Sequence, residues 1–289
     1  MEFLGSKNND ALKKVIRVIF FLFVGLFLII RFYSSVEEEY STSSSAMLDD
    51  DYFTADTLQN EIRITHNRTW KDFDEMQRSV RYSVSSISAN AASEFRNTVY
   101  VEYDGREKVF WKDLYFGLYN HDQSELDVIQ DSIRALAMRD TIAHSDLIYS
   151  VVSFVQDIPY NYIISTDSCA AHTDHPCVPL QRYGVLSPVE FLYSLAGDCD
   201  TRTVLLFTLL KKLGYDPIIV NSAQYRHSML AVDVPTEGDY FTHKGRKFYF
   251  WETTATGWLP GMLPPDMNNT DYWTIILDYE FQTDPTRNY

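Results

Sequence analysis

Apolar residues fall into three spacings along this 289-residue chain. Val18 to Ile30 is an unbroken apolar run, which extends over Val15 to Tyr33 if Arg17 and Arg31 lie at its ends with their stems on apolar surface. From Glu61 to Phe73 and from Ser79 to Ser86, apolar and polar residues alternate with the period of a half-buried strand. Helical spacing takes over at 108–120, 124–138 and 141–156, with Asn120-His121-Asp122-Gln123 as a polar joint. A further helix is predicted over Cys199 to Leu213, closed by Gly214 as a C-cap. After it come an apolar strand at 216–220, a second stretch over Tyr225 to Val232, and a third over Arg246 to Thr254. Between the last two, Pro235 to Lys244 reads as a polar hairpin loop. Helices set beside strands that pair antiparallel predict an α+β fold.

The flanks of the first apolar run give it a direction. Lys7, Lys13, Lys14 and Arg17 precede it and Glu37-Glu38-Glu39 follows, so the positive-inside rule expects residues 1–14 in the cytoplasm and 15–33 as a transmembrane anchor. Arg31-Phe32-Tyr33-Ser34-Ser35 is a poor signal-peptide cleavage site, so the anchor is expected to be retained, as a single-pass inner-membrane segment with the rest extracytoplasmic. Residues 34–51, rich in Ser, Glu and Asp, read as a charged linker. A small α/β subdomain is expected at 52–140 and the main domain at 141–289. Within the former, Arg68-Thr69-Trp70 is conspicuous, and core packing is the expected role of the tryptophan.

One stretch carries candidate chemistry. Gly197-Asp198-Cys199-Asp200 puts a cysteine at a helix N-terminus, where unpaired N–H groups and the macrodipole favour thiolate. At 100° per residue Cys199 shares an arc with Leu206, Leu210 and Leu213, so it faces the packed side of the helix. A small buried cysteine behaving like an alanine is the alternative, and the carboxylates of Asp198 and Asp200 lean toward it by raising a thiol's pKa. A thiol nucleophile needs a base and a group to orient that base. Loop arithmetic supplies both: a hairpin centred near 239–240 sets His227 opposite about Glu252 on one face. A slip of one residue would turn one of them to the other face. Each has a plain alternative, His227 as a strand histidine on a backbone carbonyl and Glu252 as a solvated strand-end carboxylate or a partner for Arg226.

Here the chain resembles a family. Gly-Asp-Cys-Asp before a leucine-rich helix ending Leu-Gly-Tyr, a His at the start of the next long strand, and Glu252-Thr253-Thr254 with Gly257-Trp258 one strand later resemble the transglutaminase-like superfamily of papain-type thiol enzymes. Val155 to Tyr160 and Ser187-Pro188-Val189-Glu190 are similar to the approach to the cysteine in bacterial members. The resemblance spans about residues 141–265. It implies a papain-like core in which the nucleophile's helix packs on an antiparallel sheet, with Cys199 as nucleophile, His227 as base and Glu252 as orienter. Two positions depart from the pattern: Glu252 stands where most of the superfamily has Asp, and Thr201 where many relatives have an acid. The activity implied is acyl transfer on amide or peptide bonds of a peptide or protein substrate, hydrolysis before cross-linking, with no cofactor and no metal. Active and inactive members share the scaffold, so a non-catalytic binding module of the cell envelope is the second expectation.

Cysteine count and charge sharpen this picture. The three cysteines lie at 169, 177 and 199; outside the cytoplasm Cys169 and Cys177 would pair, leaving Cys199 as the free thiol. A zinc site from Cys169, His172, His175 and Cys177 is the rival, though one short loop rarely wraps four tetrahedral ligands. Net charge is −15, and because residues 1–31 hold five basic side chains against two acids, the remainder carries about −18. So acidic a body argues against nucleic acid as a partner, since phosphate binding needs clustered Lys and Arg.

Overall fold

The computed structural model describes residues 52–58, 61–172 and 174–280. The expected tail, anchor and linker at 1–51 lie outside the described residues, among which no helix is long and apolar enough to cross a membrane. The fold is α+β with antiparallel main sheets. From Tyr52 onward the described chain is one compact unit.

Strands β1 (Tyr52–Leu58), β2 (Glu61–Lys71) and β3 (Gln77–Ser85) form an antiparallel meander. The alternation seen in the sequence is its inner face: Trp70, Val80 and Tyr82 are buried. Trp70 packs in the core as expected, and its Nε1 donates to Ser153 Oγ at 3.0 Å. Helix α1 (Ser86–Thr98) follows directly, with the Ser85 hydroxyl accepting from the N–H groups of Ile87 and Ser88. Its residues are mostly small or polar, with Ile87 and Phe95 its only large apolar side chains, and no helix was expected there. The three expected helices are α2 (Glu107–Asp122), α3 (Asp127–Asp140) and α4 (His144–Gln156). Beyond the short parallel pair β4 (Tyr162–Ile163) and β5 (Cys177–Val178), helix α5 (Pro188–Ser194) starts on a Ser187/Glu190 capping box. One buried core runs from Trp70 and Tyr82 through α2, α3 and α4 to helix α6 (Cys199–Leu213), so packing is continuous across residue 140.

The second sheet has the order β10-β6-β7-β9-β8, with β6 (Pro217–Ser222), β7 (His227–Val232), β8 (Tyr240–His243), β9 (Arg246–Trp251) and β10 (Thr274–Leu277). Ile219, Leu230 and Trp251 belong to the core that also holds α6, whereas Ile218, Ala231 and Phe250 form a second core with Trp273 and Leu263. Both faces are covered, which is why β6 reads as a nearly continuous apolar run.

Two expectations need correction. The polar loop at 235–244 is not all loop, because β8 lies in it and pairs with β9 at the sheet edge. His227 is also not directly opposite Glu252. Leu230 pairs with Trp251 and Val232 with Tyr249, a register that sets His227 level with Thr254, two residues further on. A two-residue slip preserves the face.

Candidate active site

Cys199 opens α6, whose N-cap Asp198 accepts from the Thr201 N–H and whose C-cap Gly214 is left-handed at φ 93°. Asp198 lies in an extended conformation, so the helix starts abruptly and fixes the cysteine at its mouth. His227 begins β7 immediately after Arg226, a non-glycine residue held at φ 49°. Glu252 follows the last residue of β9.

The structure brings His227 and Glu252 together: His227 Nε2 lies 2.8 Å from Glu252 Oε2. The other carboxylate oxygen, Oε1, accepts from the N–H groups of Thr253 and Thr254 and from the Thr254 hydroxyl, at 2.7–2.9 Å. Glu252 is buried, and burial acts to raise its pKa, but the His227 contact and the Thr254 donors outweigh this and hold it below the usual carboxylate range. Gln156 fixes the main chain here by donating to the carbonyls of Glu252 and Trp258. With Nε2 engaged, Nδ1 is the imidazole nitrogen left to handle a proton. The Cys199 sulfur faces the main-chain N–H of Ser228, the residue after His227. Thr203 Oγ1 also donates to the Ser228 carbonyl at 3.3 Å, so α6 is pinned to β7 at this level.

The thiol's electrostatics reverse one expectation. Burial pushes Cys199 well above its usual range, and Asp200 and then Asp198 add to the rise. A helix terminus contributes about 0.3–1 kcal/mol to an anion, whereas burying a charge costs several kcal/mol, so desolvation wins. At rest the sulfur is a neutral thiol. Asp198 is itself raised to about 8, by burial first and by Asp200 second.

Several residues were not singled out from sequence. Tyr160 has its hydroxyl facing the Cys199 main-chain N–H, and its pKa is raised, chiefly by burial. Asp200, read from sequence only as a charge beside the thiol, also accepts from the hydroxyls of Tyr115 and Ser228. Asn221 closes this polar knot, bonding Ser228 Oγ at 2.9 Å and Tyr115 at 3.1 Å. A cavity of about 230 Å³ opens there, lined among others by Asp200, Asn221, Arg226, His227 and Ser228. Arg202 is fully buried one turn into α6. Its signal was a charged residue three positions after the cysteine, on a helix face otherwise apolar.

Cys169 and Cys177 form a disulfide, and Cys199 is the free cysteine. That bond removes both sulfur ligands from the rival zinc site. The disulfide loop packs its histidines on two tyrosines beside the site, His172 on Tyr162 and His175 on Tyr160. Among the described residues no group of three or more His, Cys, Asp or Glu is placed to hold a metal. Comparison with family models, curated proteins and solved structures found no match.

Proposed function

We propose that this chain is a transglutaminase-like thiol enzyme that transfers the acyl group of an amide or peptide bond, anchored in the inner membrane by residues 15–33 and facing outward. The observation that carries the reading is the 2.8 Å His227–Glu252 pair at the head of the strand whose next N–H faces the Cys199 sulfur. A carboxylate held by three donors is a fixed negative charge, which sets the imidazole tautomer and stabilises the imidazolium once formed. Because the resting sulfur is a thiol, proton transfer to His227 Nδ1 accompanies attack of Sγ on the substrate carbonyl. The Cys199 N–H at the helix mouth is the natural oxyanion donor, and the Tyr160 hydroxyl occupies the place the substrate oxygen would take. His227 then protonates the leaving amine, and water or a second amine resolves the thioester.

A non-catalytic binding module is the second reading, favoured by the raised thiol pKa. Iodoacetamide alkylation of Cys199 across pH, in wild type and His227→Ala, separates the two. The enzyme reading expects alkylation near pH 7 to be at least about a hundredfold faster with His227 present, the low end of what a positioned base provides. Equal rates in both proteins, rising only at high pH, would leave the binding module as the reading.

A further inference from the structure

Arg202 is completely buried, and no carboxylate stands among its hydrogen-bond partners. Its guanidinium instead donates to four main-chain carbonyls from three separate parts of the chain. Nε reaches Gly197 at 3.1 Å, Nη1 reaches Val155 at 2.7 Å and Thr253 at 3.3 Å, and Nη2 reaches Ile158 at 2.6 Å. Gly197 precedes the nucleophile, Thr253 follows Glu252, and Val155 and Ile158 flank the end of α4 just before Tyr160. The ring of Tyr160 lies 5.6 Å from the guanidinium carbon. A planar fork with five N–H donors can satisfy such a divergent set; an ammonium, with three donors on one atom, cannot reach all four.

Carbonyl dipoles solvate the guanidinium but leave its full positive charge in place. Burial lowers its pKa to about 10, so it stays charged at neutral pH. Asp198, Cys199 and Glu252 all lie within its electrostatic reach. A buried cation beside a thiol that must become an anion acts in a medium that screens it poorly.

We infer that Arg202 is the positioning residue of this site: it ties the first turn of α6 to the loop after Glu252 and to the segment carrying Tyr160, and its charge, hydrogen-bonded to no carboxylate, stabilises the Cys199 thiolate as it forms. The inference rests on the thiol-enzyme reading above but is measured on different variants. Its test is the pH profile of Cys199 alkylation by iodoacetamide in the full chain, comparing Arg202→Lys with Arg202→Gln. Lysine keeps the charge and glutamine does not. The glutamine variant should shift the profile upward by about one pH unit, a tenfold slower reaction below the midpoint, while the lysine variant stays near wild type. Equal shifts in the two variants, or none in either, would overturn the charge role.

Should neither variant fold, wild type alone decides. A buried charge predicts a midpoint that holds between 50 mM and 1 M salt, and a midpoint that drifts with salt would assign the effect to surface charge and overturn the inference. Loss of the His227 effect together with an intact Arg202 effect would sink the enzyme reading and not this one. The converse result would sink this one alone.

Discussion

Arg96 and Arg202 are both almost fully buried, at 1% and 0% exposure, yet their charges are met in opposite ways. Arg96 on α1 forms a two-pronged pair with Glu190 on α5, Nε to Oε2 at 2.7 Å and Nη2 to Oε1 at 2.8 Å. Its remaining Nη2 contact is the side chain of Gln181, at 2.8 Å. Arg202 has only carbonyls. The first region is a closed charge pair, which stabilises a helix junction and has no field left over. The second keeps its field, at a cost of several kcal/mol in desolvation that the fold must offset elsewhere. A protein that needed only a clamp at α6 could hydrogen-bond a carboxylate to Arg202. Leaving the guanidinium on carbonyls alone fits a site where a negative charge is made during reaction.

The largest expected effect comes from breaking the closed pair. Arg96→Met leaves Glu190 buried without its cation, and stability should fall by about 3–5 kcal/mol in denaturant melts. The protein that remains folded should alkylate at Cys199 as fast as wild type. A change in that rate would couple the two regions and dissolve the contrast.

Glu252→Gln tests the chemical region with a smaller structural cost. It keeps volume and one acceptor, so stability should fall by about 1–3 kcal/mol. Alkylation of Cys199 near neutral pH should slow by about ten- to a hundredfold, less than the roughly four orders of magnitude for the orienting acid of a serine triad. Stability lost with alkylation unchanged would make Glu252 a structural carboxylate.

The last expected effect is a slope. Asp198 is raised from 3.8 to about 8 in the folded state, so the native protein keeps a proton that the unfolded chain releases. The stability this contributes is full below about pH 4 and is lost as pH rises toward 8. Glu252 has the opposite sign, since its lowered pKa gives stability that is lost only as pH falls below its unfolded value of 4.5. Between pH 5 and 8, wild-type Tm should therefore decline more steeply than that of Asp198→Asn, which caps the helix equally well but does not titrate. Parallel curves would place the Asp198 carboxyl in its ordinary range.

Much of the site was legible in residue order. The start of α6 at Cys199, its end at Gly214 and a strand carrying His227 follow from local signals that need no tertiary partner, although that strand starts at His227 and not at Tyr225. His227 and Glu252 were expected on one face, and they are, although the true register differs by two residues. The error was harmless because facing depends only on whether the offset is odd or even. The loop length misled because it hid β8, a short edge strand whose pairing is made with β9 and cannot be seen in its own four residues. Helix α1 was missed because its residues are mostly small or polar, so few large apolar side chains mark its buried face, while the Ser85 cap sets its start.

What the sequence by itself determined, then, was which residues could act and which way they faced, since periodicity, caps and parity are properties of adjacent positions. Tertiary structure alone decided how those residues behave. Burial drives the Cys199 thiol upward against the helix dipole, because desolvation depends on everything packed around the sulfur and not on the few residues beside it. Four carbonyls meet at Arg202 from positions 155, 158, 197 and 253, contacts between segments up to 51 residues away in the chain. No local pattern encodes such a meeting; it exists only once the helix, the acid's loop and the end of α4 have packed on one another.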